Sequence, residues 1–478
     1  MNKGCTIKGV CGKEPATAGL MDVLIYAVRG EAIVNRALRA KGAADTAASR
    51  RMLDALFSTI TNANFDDEAL KMRIAEALAT KNRLIGTAEK RGIALPDMPE
   101  VKFRPAPSEY EAEAAKVGVL SMRDEDIRSL KQLIIYGVKG AAAYAEHALN
   151  LGHEDPSLYE MLENALAEVS REDIGADELT ALVLNVGEAG VKAMALLDKA
   201  NTSAYGDPEI TKVNIGVGKR PGILVSGHDL KDFGELLEQT KDAGVDIYTH
   251  SEMLPAHYYP AFKKYSHFVG NYGNAWWKQR DEFETFNGVI LFTTNCIVPP
   301  RPNAAYADRI YTTGSAGLPG ATHIPDRKEG RPKDFSQLIE HAKKCPPPTE
   351  IEHGEIVGGF ARQIPLQQTA AGRHRRHSAR TRRRTMQRQL FAGAHRAGAE
   401  GGFRARERQR PADRLQHRVV RAEGRHRTAV AAEPRHQEHP RRAHAPGVPV
   451  AERAESAGRQ IRPRDHFDCG RRHEKPDL

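Results

Sequence analysis

The spacing of apolar and polar positions divides the chain into two main regions. In residues 1–210, apolar residues recur at helical spacing, as in Leu20, Leu24 and Val28, and strong helix formers are abundant. In residues 211–361, short β-forming runs alternate with helically spaced segments, which is typical of a parallel sheet built from βαβ units. The pattern predicts a multidomain α and α/β protein, with an N-terminal helical-bundle domain followed by a Rossmann-like parallel-sheet domain.

The helical region contains a short internal sequence repeat. Residues 24–30 (Leu-Ile-Tyr-Ala-Val-Arg-Gly) recur as residues 134–140 (Ile-Ile-Tyr-Gly-Val-Lys-Gly). Each copy ends in a glycine, Gly30 and Gly140, and this position predicts the C-terminus of a helix. The repeat indicates a duplicated helical unit.

Three β-forming runs in the second region are each followed by a potential metal ligand. Carboxyl ends of parallel strands meet at one edge of a sheet, so we expect the three side chains to converge there. An imidazole, a carboxylate and a thiol together favour a transition metal over magnesium or calcium. Each residue also has a plain alternative role, as a loop or capping residue or as a small buried apolar side chain. The runs and their ligands are 222–226 with His228, 245–249 with Glu252, and 289–293 with Cys296.

Charge and composition change sharply toward the C-terminus. The chain carries a formal net charge of +9. Residues 371–478 contain 28 Lys and Arg against 12 Asp and Glu and lack hydrophobic periodicity, whereas the preceding residues are mildly acidic. Such a composition buries too little apolar surface to offset the entropy of ordering the backbone. We expect residues 362–478 to form a disordered, Arg-rich tail.

The sequence also indicates the cellular compartment. No apolar run reaches the roughly 18 residues of a membrane span, and the N-terminus lacks the apolar core of a signal peptide. We therefore expect a cytoplasmic protein. The five cysteines then favour free thiols or metal ligands over a disulfide framework.

Several long motifs in one order resemble the hybrid-cluster protein family, also called prismane or hydroxylamine reductase. The resemblance covers residues 1 to about 361. The Ser-Gly-His-Asp and Thr-Thr-Asn-Cys motifs favour this family over the nickel–iron carbon monoxide dehydrogenases, a related class that shares the general architecture. The motifs are Cys5-Thr-Ile-Lys-Gly-Val-Cys11, Gly222-Ile-Leu-Val-Ser-Gly-His228, Tyr248-Thr-His-Ser-Glu252-Met-Leu-Pro-Ala-His257, Val269-Gly-Asn-Tyr-Gly-Asn-Ala-Trp276-Trp277 and Thr293-Thr-Asn-Cys296-Ile-Val-Pro-Pro.

The resemblance implies two metal centres. His228, Glu252 and Cys296 would be ligands of a hybrid iron–sulfur–oxygen cluster of the 4Fe-2O-2S type, and so the residues that carry catalysis. Cys5 and Cys11 would belong to a conventional [4Fe-4S] or [2Fe-2S] cluster that supplies electrons, because thiolates are the usual ligands of such clusters. The implied activity is reduction of hydroxylamine to ammonia, or of nitric oxide, with electrons from a donor protein and no membrane or specific nucleic-acid partner.

The chain departs from the family pattern at both ends. The family has a Cys-x-x-Cys pair before the position of Cys5, which points to an N-terminal truncation or a misassigned start. After about residue 363 the family's remaining cluster ligands do not appear, which points to a shifted reading frame. Met386 must be ATG and the codon of Gln387 must begin with C, so one base later the junction reads TGC, a cysteine codon.

These departures predict impaired activity. The alternative prediction is a non-enzymatic relic whose basic tail binds nucleic acid non-specifically, because a polycation displaces counterions from phosphates.

Overall fold

The computed structural model describes residue 9, residues 11–328 and residues 331–360. Residues 15–205 are mainly helical, and three further α-helices lie between strands in the second half. The helices are α1 (Pro15–Arg39), α2 (Thr46–Ser58), α3 (Asp67–Lys90), α4 (Pro99–Lys102), α5 (Tyr110–Val117), α6 (Glu125–Asn150), α7 (Pro156–Glu168), α8 (Ala176–Tyr205), α9 (Leu230–Thr240), α10 (Gln279–Thr285) and α11 (Ser336–Ala342).

Helix starts follow from local capping chemistry. The side chains of Asp45, Asp66, Asp124 and Asp155 precede α2, α3, α6 and α7 and accept hydrogen bonds from backbone N–H groups in the first turn. Each aspartate satisfies donors that a helix N-terminus leaves unpaired, which typically contributes about 1 kcal/mol. Helix α1 packs against α2, α3 and α7, and α6 packs against α2 and α8.

The prediction that Gly30 and Gly140 end helices is wrong. Helix α1 continues to Arg39, and α6 continues to Asn150. At Gly30 a Cβ atom would lie 2.3 Å from the backbone carbonyl oxygen of Glu100. The absence of a side chain there allows α4 to approach α1 closely, so this glycine serves packing rather than helix termination.

The second half contains a parallel sheet. Its strands lie in the order β4-β3-β2-β5-β6-β7, and all their pairings are parallel. A separate antiparallel pair joins β1 to β8. The strands are β1 (Thr211–Asn214), β2 (Gly222–Ser226), β3 (Asp246–His250), β4 (Phe268–Asn271), β5 (Val289–Phe292), β6 (Ile310–Thr313), β7 (Thr322–Ile324) and β8 (Glu355–Gly358).

The strand order reverses direction between β2 and β5. From β2 the chain moves outward to β3 and β4, then returns to the other side of β2 for β5 and moves outward again to β6 and β7. At such a switch point the loops after the two central strands diverge and leave a crevice at the carboxyl edge. His228 follows β2 and Cys296 follows β5, so both lie at this crevice.

A helical region followed by a parallel sheet confirms the predicted fold class. The division into domains at residues 210 and 361 remains a prediction, as does the disordered tail, which lies outside the described residues. Within the described part of the chain, α8 alone is long and apolar enough to cross a bilayer. It packs along α6 and α7, so its length and composition by themselves do not indicate a membrane span.

Candidate metal centre at the carboxyl edge of the sheet

His228 is fixed at the tip of β2 by the neighbouring strand. Gly227 has a φ of 119°, and a Cβ atom there would lie 2.4 Å from the Thr293 hydroxyl oxygen, so only glycine lets the β2 and β5 loops touch. The His228 Nδ1 atom shares a 2.8 Å hydrogen bond with the hydroxyl of Thr294. Burial, together with the nearby His147, lowers the pKa of His228 to about 4. The imidazole is therefore neutral at physiological pH, which is its metal-binding form.

Glu252 lies in the first turn of a 3₁₀ helix, Ser251–Tyr258, directly after β3. The preceding Ser251 has a φ of 55°, an uncommon conformation for a residue with a side chain. Its hydroxyl donates to the Glu252 carboxylate. Burial raises the pKa of Glu252, while hydrogen bonds, including one with the Cys296 side chain, act in the opposite direction.

Cys296 is buried and held by three side chains. Its φ of 79° is strained for a residue other than glycine. Its backbone N–H donates to Asn62 Oδ1 over 3.3 Å, and its carbonyl accepts from Gln279 Nε2 over 2.7 Å. The Asn295 amide nitrogen lies 3.7 Å from the sulfur. These contacts fix a conformation that the local sequence alone would not favour.

His228 and Glu252 line one cavity of about 220 Å³. Helices α6 and α8 close it with largely apolar side chains, including Tyr144 and Leu197. Cys296 does not line this cavity, but it contacts Glu252 and follows directly after Asn295, which does line it. The three predicted ligands therefore occupy one corner of the sheet edge.

The donor set fits a cluster with several irons better than a single ion. Among the described residues, no three His, Cys, Asp or Glu side chains surround one point as ligands of a single metal would. In a cluster each iron is bound by its own protein ligand, so a cluster requires only that donors of different types lie near one another. The neutral imidazole, the carboxylate and the buried thiol satisfy that condition.

Of the second predicted pair, Cys5 lies outside the described residues. Cys11 is partly buried, and its sulfur lies 3.9 Å from the Lys13 ammonium group. Although burial acts in the opposite direction, Lys13 and nearby hydrogen bonds lower the pKa of the Cys11 thiol. A Cβ atom at the neighbouring Gly12 would lie 3.4 Å from the Pro299 ring, so this segment lies beside the loop that follows Cys296.

The two histidines that flank Glu252 in sequence have structural partners. His250 is fully buried and shares a 2.9 Å hydrogen bond with Glu282. His257 is buried, shares a 2.9 Å hydrogen bond with Thr249 and stacks on Phe268. Both engage side chains of the sheet layer rather than the cavity.

Sequence reasoning missed the supporting residues and a second cavity. Asn62 and Gln279 support Cys296 from distant segments and carry no local signal, whereas Thr294, which supports His228, lies within the Thr-Thr-Asn-Cys motif. On the other side of the switch point lies a cavity of about 330 Å³, and Asp229 lines both cavities. The sequence signal that could have indicated the second cavity is Asp229, the acidic residue directly after His228.

The fold and the site together define a helical and α/β protein with a candidate iron centre at the switch point of its sheet. The sequence profile of the Prismane/CO dehydrogenase family matches residues 1–394, and the chain belongs to this family. Proteins of this family carry iron–sulfur clusters.

Curated relatives share the family. A hydroxylamine reductase of Parabacteroides distasonis is 60% identical over 368 residues, which is 76% of this chain and 67% of the relative. A hydroxylamine reductase of Bacteroides fragilis is 59% identical over 359 residues, covering 75% of this chain and 65% of the relative. A hydroxylamine reductase of Thermoanaerobacter pseudethanolicus is 55% identical over 366 residues, which is 76% of this chain and 66% of the relative. The chain thus matches about two thirds of the length of these relatives.

Proposed function

We propose that this chain is an iron–sulfur oxidoreductase of the hydroxylamine reductase type. A hybrid iron–sulfur–oxygen cluster would be held by His228, Glu252 and Cys296, and a [4Fe-4S] or [2Fe-2S] cluster would involve Cys5 and Cys11. The observation that carries the proposal is the meeting of an imidazole, a carboxylate and a thiol beside one cavity at the β2–β5 switch point. The relatives named hydroxylamine reductase support it.

When bound, the hybrid cluster would supply electrons and an open iron position for a nitrogen oxide. The protein supplies orientation and exclusion of water. Thr294 fixes the His228 ring through Nδ1, which sets which ring nitrogen is free to act as a ligand. The apolar walls from α6 and α8 limit access of water to the cavity.

The substrate would be a small nitrogen oxide, either hydroxylamine or nitric oxide, and the electrons would come from a donor protein. A cavity of about 220 Å³ is small for an organic cofactor but sufficient for a molecule of two heavy atoms. We place the protein in the cytoplasm. Because the chain offers only part of the ligand set that the resemblance implies, we expect its activity to be low.

A second candidate function rests on the charge of residues 371–478, where cationic residues exceed acidic ones by 16. This segment would bind nucleic acid non-specifically in a relic without catalytic activity. Such binding should weaken steeply as salt is added and should disappear in a chain lacking these residues. Binding that is insensitive to salt would contradict it.

The iron-centre proposal is tested by anaerobic expression of the full chain. Iron, sulfide and conversion of hydroxylamine to ammonia with a reduced viologen dye should be measured for the wild type, for His228→Ala and for the control His353→Ala. His353 is 88% exposed and remote from the cavity lining. We expect bound iron and slow ammonia production in the wild type and in the control. His228→Ala should lose ammonia production and bind less iron, because only the cluster at Cys5 and Cys11 would remain. Equal iron and equal rates in all three proteins would contradict the proposal.

A further inference from the structure

The second cavity, which we call the acidic cavity, lies on the β5–β7 side of the switch point. It has a volume of about 330 Å³, room for about ten water molecules at roughly 30 Å³ each. Its lining is mainly polar and charged, in contrast to the apolar walls around His228. The lining residues are Asp54, Phe57, Glu76, Glu146, Asn150, Asp229, Thr293, Thr294, Gly314, Ser315, Asp326, Arg327 and Lys333.

Most acidic groups of this cavity have partners, but Glu146 stands apart. Asp54 lies 3.2 Å from Arg73, and Asp326 lies 3.5 Å from Lys333. Glu146 Oε2 is buried and has no hydrogen-bond partner among the described residues. A buried carboxylate without a partner is costly, whereas a protonated carboxyl group avoids most of that cost.

The surroundings of Glu146 favour its protonated form. Burial raises the pKa of Glu146 well above its usual range, and the carboxylates of Asp54, Asp229 and Asp326 raise it further, while Arg73 acts in the opposite direction. The charged or titratable groups that face it are Asp54 from α2, Arg73 and Glu76 from α3, Asp229 from the loop after β2, and Asp326, Arg327 and Lys333 from the segment after β7.

Glu146 also lies at the boundary between the two cavities. Glu146 lines the acidic cavity, and the next residue of α6, His147, lines the His228 cavity. Asp229 and Phe57 line both. His147 Nδ1 lies 3.6 Å from Asp229 Oδ2, so polar groups continue across the shared wall. Asp326, which also lines the acidic cavity, has a side chain that is 72% exposed and marks a connection to solvent.

We propose that Glu146 is the proton-holding residue of the acidic cavity and supplies protons to the neighbouring His228 cavity. This inference rests on the proposed function, because reduction of a nitrogen oxide consumes protons at a buried site. Conversion of hydroxylamine to ammonia and water breaks the N–O bond and requires two electrons, from the donor protein, and two protons. Each proton leaves the Glu146 carboxyl group, which is then reprotonated from solvent through the acidic cavity.

The proton on Glu146 can be measured without any cofactor. Infrared spectra of the full chain at neutral pH should contain the carbonyl stretch of a protonated carboxylic acid. This band should be lost in Glu146→Gln and retained in the control Glu188→Gln, because Glu188 is exposed on α8 beside Lys192. Identical spectra for the wild type and Glu146→Gln would mean that Glu146 is ionised, and would overturn the proposal.

The supply of protons is tested by turnover. In Glu146→Gln the rate of ammonia production should fall by about 100-fold, the usual range for loss of a proton donor, with bound iron unchanged. Glu146→Asp retains an acid and should recover part of the rate, whereas a purely structural role would be restored by the isosteric Gln. An unchanged rate and pH profile in Glu146→Gln would overturn the proposal. A wild-type chain that retains the infrared band but produces no ammonia would contradict the proposed function and not the proton on Glu146.

Discussion

Two carboxylates, the buried Glu163 of the helical region and the partly buried Glu252 at the sheet edge, differ in how completely they are hydrogen-bonded. Glu163 accepts hydrogen bonds of 2.6–3.0 Å from Asn35 and Arg39 of α1 and from Ser49 of α2. Glu252 is bonded to its neighbour Ser251 and to Cys296, and it faces a cavity. A carboxylate whose oxygens are all hydrogen-bonded, such as Glu163, stabilises the fold. A partly hydrogen-bonded carboxylate beside a cavity, such as Glu252, keeps an oxygen available to bind metal.

The difference extends to the backbone. Helices α1, α2 and α7 around Glu163 contain no residue other than glycine at positive φ, whereas Ser251 and Cys296 at the sheet edge have φ angles of 55° and 79°. Such strain persists only where the surroundings enforce it, and it clusters at functional sites. Changes in the helical region should therefore alter stability, and changes at the sheet edge should alter metal binding.

The largest effect is expected from Glu163→Ala. It leaves the buried donors of Asn35 and Ser49 unpaired and the partly buried Arg39 without its partner, so the free energy of unfolding should fall by about 3–5 kcal/mol. Denaturant unfolding measures this change. The control Glu160→Ala, at an exposed position of the same helix, should change it by less than about 0.5 kcal/mol. Equal stability of the two variants would remove the contrast between the regions.

Cys296→Ser should reduce iron binding and leave the stability of the protein almost unchanged, the reverse of Glu163→Ala. Because it removes the only predicted thiolate of the sheet edge, iron affinity should fall by at least about 100-fold, while the stability of the metal-free protein changes little. Iron analysis after anaerobic reconstitution measures the loss. Cys345→Ser, which alters a partly buried thiol in the loop after α11, is the matched control and should bind iron normally. Similar iron content in both variants would contradict the assignment of Cys296.

Thr294→Val tests the hydrogen bond that crosses the switch point. Loss of its hydroxyl frees the His228 ring, which should weaken iron binding by about tenfold and lower the free energy of unfolding by about 1 kcal/mol. Thr312→Val removes an equivalent 3.0 Å bond to His323 and should affect stability alone. Iron titration of both variants distinguishes support of a metal ligand from a purely stabilising hydrogen bond. An equal loss of iron affinity in the two variants would show that Thr294 does not specifically support His228.

The last prediction concerns Lys139, a buried lysine of the helical region. Burial and the nearby Lys13 lower the pKa of Lys139 from 10.5 to about 7. Between these pH values the unfolded chain binds more protons than the folded one, so this residue makes the free energy of unfolding rise with pH. Lys139→Met should flatten that rise relative to the control Lys192→Met, as measured by denaturant unfolding from pH 7 to 10. Parallel pH profiles would contradict the prediction.

Local sequence predicted the elements of the sheet edge well. The runs before His228, Glu252 and Cys296 form β2, β3 and β5. Short runs of β-branched and aromatic residues bounded by glycine and polar residues strongly favour the strand conformation. The resemblance added which of the residues after the strands would bind metal. The roles of those residues remain predictions that the experiments above address.

The rest depended on contacts between distant segments. Strand β1 pairs with β8, about 140 residues later, and nothing in either short run specifies that partner. Glu146 lies in the alanine-rich C-terminal part of α6, where an acidic residue usually faces solvent. Its burial arises only because α6 packs beside the loops after β2 and β5. Gly30 likewise gained its role from the approach of α4, which local periodicity does not encode.

The most direct test locates iron in the folded protein. Crystals of the anaerobically reconstituted chain, measured at the iron absorption edge, should give an anomalous peak within bonding distance of the side chains of His228, Glu252 and Cys296. This peak should be present in the wild type and absent in Cys296→Ser. Iron bound elsewhere, with none beside these three side chains, would contradict the central claim.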